Sequence, residues 1–185
     1  GKSNFPWRVV IVAKLDSELA GTDMVYRLAS PSRVENTDWI APGKVAWEWW
    51  NHWGLTGVDF EAGVNTATYK AYIDFAAEYG IEHVILDEGW AVKYKNNLME
   101  VVPEIDLQQI VDYATQKGIG IILWAGYHAF DRDMEAVCSH YSKMGVKGFK
   151  VDFLDRNDQK MEDFIYRASE VGARYKLVMD FHGCH

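Results

Sequence analysis

Several things are scarce in this chain, and each scarcity removes a class of function. No apolar run reaches the roughly 18 residues that a membrane-crossing helix needs. Basic residues are outnumbered, 19 Lys and Arg against 27 Asp and Glu, for a net charge of -8. No Lys/Arg cluster stands out, which argues against nucleic acid as a partner. There are only two cysteines, Cys138 and Cys184; they lack metal-ligand spacing and read as free thiols rather than a disulfide. The opening "GKSNFPWRVV" has neither the apolar stretch nor the small-residue cleavage site of a signal peptide. No Gly-x-Gly-x-x-Gly motif follows the first core strand, as a dinucleotide-binding sheet would require.

Aromatic residues, by contrast, are abundant: eight Trp, ten Tyr and eight Phe. Four Trp crowd into "WEWWNHW", residues 47–53. Indole faces pack well on the C–H faces of sugar rings. Packing at a strand end is an equally good account of Trp47, Trp49 and Trp50, and both readings stay open.

The chain has two parts. Residues 1–40 contain one β-branched run, "WRVVIVA" at 7–13, which predicts a strand. The polar connection "SELAGTDMVYRLASPS" follows, and Pro42 and Gly43 punctuate the end of this part. A rhythm then begins over 41–185. Strand-like runs occur at 45–50, 83–87, 119–124, 148–154 and 177–181. Between them, 65–80, 106–118, 131–145 and 157–172 carry helical spacing, and each ends on glycine. Asp106 is a plausible N-cap. Strand and helix alternating in this way specify an α/β fold with a parallel sheet. Polar residues gather at the strands' C-terminal ends: Glu48, Asp87 with Glu88, His128, Asp152 with Asp155, and His182. A (β/α)8 barrel of the TIM type keeps its chemistry there. Five strands fall short of eight, so the expectation is an incomplete barrel from a longer protein.

The fourth strand, "GFKVDFL", carries charge where a core strand should not. Buried charges cost several kcal/mol unless paired or functional. Side chains alternate along a strand, so Lys150 and Asp152 share one face, with Phe149, Val151 and Phe153 on the other. In a barrel the aromatic face packs on helices and the charged pair points inward, at the floor of an active site. Asp180 and His182 share a face of strand five by the same rule. Asp155 falls opposite Asp152 if the strand stays regular. A buried salt bridge fixing strand register is the plain alternative for Lys150 and Asp152. Charged ends on three other strands favour a site instead. His140 reads as a helix-surface residue, and His128 also favours the structural reading.

"PGKVAWEWWN", "TYKAYIDFAAEYGIEHVILDEGW", "GFKVDFLDRNDQ" and "DFHG" together resemble glycoside hydrolase family 97, over essentially the whole chain. The resemblance implies residues 1–40 as the end of an N-terminal β-sandwich domain plus linker. It implies 41–185 as the first five strands of the catalytic barrel. Family members that retain anomeric configuration have an Asp where Asp152 stands, which is the branch associated with α-galactosides. "KVD" and "DEGW" are also similar to the wider clan of retaining α-galactosidases. By that likeness Asp152 is the catalytic nucleophile. The same likeness makes Lys150, Asp87 and Glu88 substrate-binding; His182, with Asp180 on its face, and Trp47, as a sugar-stacking candidate, join them from the residues themselves.

The likeness further implies a terminal α-galactoside or oligosaccharide as substrate. It implies calcium as cofactor, with no ligand assigned in this chain, and a periplasmic or secreted location in a Gram-negative bacterium. The acid/base Glu of the family comes from a later strand; no Glu follows Glu170, so this chain alone is expected to be inactive. The rival readings are an inverting α-glucosidase of the same family, a Schiff-base lyase using Lys150, and a carbohydrate-binding module built on the Trp cluster.

Overall fold

The computed structural model describes residues 8–49, 52–93 and 97–184. It divides into two units, Gly1–Glu35 and Asn36–His185. The first unit holds two five-residue helices, α1 (Asp16–Ala20) and α2 (Met24–Leu28), neither with a buried residue or a side-chain cap. These replace part of the connection expected there. The strand expected over 7–13 does not form across its described residues, 8–13. Val10 and Val12 are largely exposed. A β-branched run supplies propensity only; a strand also needs a neighbour to complete its ladder. Within this unit the described neighbours are two short helices.

The second unit follows the expected alternation. Its elements are β1 (Val45–Trp47), α3 (Thr66–Tyr79), β2 (His83–Leu86), β3 (Ala91–Val92), β4 (Asn97–Val101), α4 (Leu107–Gln116), β5 (Gly120–Gly126), α5 (Tyr127–Met144), β6 (Gly148–Asp152), α6 (Gln159–Arg174) and β7 (Val178–Phe181). Five strands form one sheet in the order β1-β2-β5-β6-β7, each pair parallel. The short pair β3 and β4 forms an antiparallel hairpin after β2, which the sequence pattern did not predict.

Local chemistry explains the helix limits. Asn65, Asp106 and Asp158 each accept the amide of the third residue onward, Thr68, Gln109 and Met161, satisfying donors that a helix start leaves unpaired. Gly80 ends α3 in the left-handed conformation, φ 62°, which lacks a Cβ penalty only for glycine. Gly172 is not a stop, as its place in the pattern suggested: α6 runs on to Arg174. A Cβ there would lie 2.6 Å from the Met179 side chain and 2.9 Å from the Leu177 carbonyl. Glycine at 172 lets α6 lie close on β7.

Register divides the sheet into two faces. Val84, Leu86, Ile121, Leu123, Ala125, Phe149 and Val151 join the main core with Tyr69 and Ile73 of α3, Ile110 of α4, Phe130 and Tyr141 of α5, and Phe164 of α6. The opposite face carries Ile85 beside Ile122, and Trp124 beside Lys150. Lys150 in turn sits opposite Asp180. This second face is concave: Trp47, on one edge strand, brings its ring to 6.0 Å from the ring of His182, just past the other edge strand.

Candidate active site

Strand β6 is buried along its whole length, and its charged residues lie on the concave face as alternation requires. Lys150 is 3% exposed and Asp152 7%. The Lys150 ammonium donates to Asp87 Oδ2 at 2.7 Å and lies 3.7 Å from Asp152 Oδ2. It also sits over the Trp47 ring, 4.3 Å from the centroid, where the ring quadrupole attracts a cation. The Trp47 indole N–H donates to the same Asp87 oxygen. One buried cation therefore joins two carboxylates and an indole from three strands.

Each carboxylate is also fixed by other donors. Asp152 Oδ1 accepts the Phe153 amide at 2.7 Å, and Oδ2 accepts the Trp124 indole N–H at 3.1 Å. Asp87 Oδ1 accepts the Glu88 amide at 2.7 Å. The Asp87 amide donates to Glu48 Oε1 at 2.6 Å. Glu48 is itself 2% exposed. Burial, with the Asp87 charge nearby, pushes its carboxyl up to about 8.

Phe153 departs from the regular strand that was expected. Strand β6 ends at Asp152, and Phe153 takes a left-handed backbone, φ 64°. The residue is 55% exposed instead of packing outward with Phe149 and Val151, and its ring meets the Trp124 ring edge-on at 5.8 Å. Bulky residues avoid this conformation, and such strain clusters at functional sites. The gain here is geometric, because the turn aims the Phe153 N–H at Asp152. Asp155, beyond the turn, is exposed.

The structure brings together Asp152, Lys150, Asp87 and Trp47, with His182 against the Trp47 ring. Glu88 stands apart. It is exposed, pairs with Lys93 at 3.2 Å, and lines a neighbouring cavity of about 390 Å³ with Trp124, Tyr127, His128 and Phe153. Asp180 is exposed although it shares Lys150's face. Trp49 packs edge-on against Trp53, ring centroids 4.7 Å apart. Trp50 lies outside the described residues. Cys138 is buried and Cys184 exposed, both free; burial pushes the Cys138 thiol up to about 12, so it packs as an inert side chain. Among the described residues, no group of three or more His, Cys, Asp or Glu side chains is arranged to hold a metal ion.

Trp124, Phe153 and the buried role of Glu48 were not singled out from sequence. Trp124 had a signal: two residues before Gly126, at the end of its strand, it falls on the inward face by the alternation used for Lys150. Phe153 had none, since its residue type contradicts its backbone.

The sequence and the fold match known proteins. The chain is 64% identical to a retaining alpha-galactosidase of Bacteroides thetaiotaomicron, over 98% of its own length and 28% of the relative's. It is 31% identical to a probable retaining alpha-galactosidase of Streptomyces bingchenggensis, over 99% and 28%. The chain thus spans little more than a quarter of these relatives. Its backbone superposes on a glycoside hydrolase family 97 enzyme of a Pseudoalteromonas species, solved with acarbose, with TM-score 0.72 at 21% identity, covering 87% of this chain and 29% of that one. The α-galactosidase of Thermus thermophilus shares the fold more distantly, with TM-score 0.53 at 14% identity over 77% and 38%. The family model for glycoside hydrolase 97 matches residues 49–185, and the chain belongs to that family.

Proposed function

We propose that this chain supplies the nucleophile half of a retaining α-galactosidase whose catalytic domain closes as a (β/α)8 barrel. One observation carries the reading: Asp152 is a buried carboxylate at a strand's C-terminal end, locked by two N–H donors and coupled through Lys150 to a second carboxylate. The names of both relatives point the same way.

In this reading Asp152 attacks the anomeric carbon from the β-face. The C1–O bond to the leaving group breaks, its electron pair staying on the departing oxygen, which an acid protonates. An ester between C1 and Asp152 forms. Water then adds to C1, giving its proton to the same acid/base residue, and Asp152 leaves as carboxylate. The acid/base lies outside the described residues, about 5–5.5 Å from Asp152 as retention requires. Fixing Asp152 by the Phe153 amide and the Trp124 indole removes rotational freedom that attack would otherwise have to freeze. Trp47 offers a face to the sugar ring, and Asp87 and Lys150 meet its hydroxyls, with Asp87 reading the axial 4-hydroxyl. His182, beside Trp47, borders the same subsite. The family's calcium would take its ligands from beyond the described residues, and no step above depends on it. A β-sandwich origin for residues 1–40 and a periplasmic or secreted location belong to the same proposal.

A Schiff-base lyase is less well supported. The Lys150 nitrogen donates to Asp87 and lies beside Asp152, contacts that suit an ammonium donor and that a free, nucleophilic amine would give up. The test is azide rescue in the full-length enzyme. Asp152→Gly is expected to abolish hydrolysis of an activated aryl α-galactoside. Azide should then restore cleavage and release the β-galactosyl azide. Formation of the α-azide instead would remove Asp152 from the nucleophile's role.

A further inference from the structure

The proposed reaction does not use Glu48, although it is the most deeply buried acidic residue of the site. Its Oε1 accepts the Asp87 amide at 2.6 Å, so it holds the main chain of the residue that meets Lys150. Its Oε2 is buried and closes no regular hydrogen bond, as is true of the Tyr69 hydroxyl and the Trp53 indole nitrogen. The Tyr69 hydroxyl is near enough to Glu48 and Trp53 to interact with both, off that regular geometry. The groups facing Glu48 are Asp87 at the end of β2, and Tyr69 and Tyr72 of α3. The Tyr72 hydroxyl reaches the Glu48 carbonyl at 3.5 Å.

We propose that Glu48 is a positioning residue for sugar recognition, a buried carboxyl that fixes the Asp87 main chain from behind. The inference rests on the proposed role of Asp87 as a reader of galactose hydroxyls.

Among the described residues, the groups that act most on Glu48 include no cation, and one of them is itself acidic. An ionised Glu48 would place a second buried negative charge against Asp87, which low-dielectric surroundings punish. Burial is the largest cause and pushes the Glu48 carboxyl up to about 8; the Asp87 amide, which binds the ionised form better, opposes it, and the Asp87 charge adds to it. The neutral form therefore prevails at neutral pH. The sign follows from burial and not from the hydrogen bond itself: an ionised Glu48 favours any arrangement in which it leaves its buried seat, so recognition that needs the seat is complete below that value and lost as pH rises through it. Tyr69 and Tyr72 are both pushed up, first by burial and then by Glu48, so neither ionises in this range.

The experiment is galactose binding to the full-length enzyme by titration calorimetry, from about pH 6.5 to about pH 9.5. Galactose has no group that titrates there. Unmodified enzyme should lose about tenfold or more in affinity through a one-proton transition near 8. Glu48→Gln keeps an acceptor for the Asp87 amide and cannot ionise, so its affinity should be flat across the range, whatever its starting value. Glu48→Asp, too short to reach the Asp87 amide, should bind more weakly already at the acidic end. A fall that persists unchanged in Glu48→Gln belongs to another group and overturns the proposal. Galactose binding absent at every pH would instead bring down the α-galactosidase reading, and with it the role of Asp87 on which the proposal stands. Azide rescue at Asp152 alongside flat binding in unmodified enzyme would leave that reading intact and refute Glu48 alone.

Discussion

Replacing Lys150 by methionine tests whether the buried cation holds the site together. Lys150 is nearly inaccessible, and the side chains of Asp87 and Asp152 are 8% and 11% exposed. At the ion-pair distances of 2.7 and 3.7 Å, an effective dielectric of about 20 gives a gross attraction of roughly 6 and 4 kcal/mol. Desolvating the ammonium gives back several kcal/mol of this. Methionine keeps most of the apolar stem and its packing on Trp47. What remains is two buried carboxylates with no cation between them, a defect of about 3–5 kcal/mol. Urea unfolding at neutral pH, followed by tryptophan fluorescence, measures it. The double variant Lys150→Met with Asp87→Asn removes one orphaned charge and should recover about 1–3 kcal/mol relative to the sum of the single changes. A loss under about 1 kcal/mol for Lys150→Met, or strict additivity in the double variant, would refute the reasoning.

Two further outcomes follow from the geometry. Phe153→Gly should be at least as stable as the unmodified chain in a thermal melt: it relieves about 1–2 kcal/mol of left-handed strain against the loss of one edge-on aromatic contact. Phe153→Val, β-branched, should be the less stable of the two, and the reverse order would show that the conformation is not strained. In the full-length enzyme, Asp87→Asn should lower the galactoside-to-glucoside ratio of kcat/KM by about tenfold or more, while Glu88→Gln moves it by less than about threefold. Equal effects would mean that Glu88 swings into the site.

Much of the second unit was legible because its rules are local and periodic. Alternation alone placed Lys150 and Asp152 on one face of β6, and the caps at Asp106 and Gly80 marked real helix ends. What escaped depends on partners rather than pattern. The run at 7–13 has strand propensity with no ladder to join among the described residues of its unit. The hairpin of Ala91–Val92 and Asn97–Val101 is too short, and too interrupted by polar residues, to show a period. Phe153 was assigned outward by continuing a period one residue past the strand's end. Glu48 was visible as a polar strand end, but its burial depends on Tyr69, Tyr72 and Asp87, which lie far along the chain. Glu88 was grouped with Asp87 as an acidic pair at a strand mouth; the structure leaves Asp87 buried and Glu88 exposed beside Lys93, because successive residues there diverge.

The ring contact between Trp47 and His182 joins residues 135 positions apart (182 minus 47). Every βα unit between them must be in place before those rings can meet. Loop closure over such a distance is paid for only once the nearer strand pairs have formed. Helices and adjacent strands can therefore assemble early, while the corner where these two rings meet is among the last features to form. A folding intermediate with most of its secondary structure could still lack a binding site. Recovery of ligand binding during refolding is then a stricter measure of the native state than recovery of helix signal.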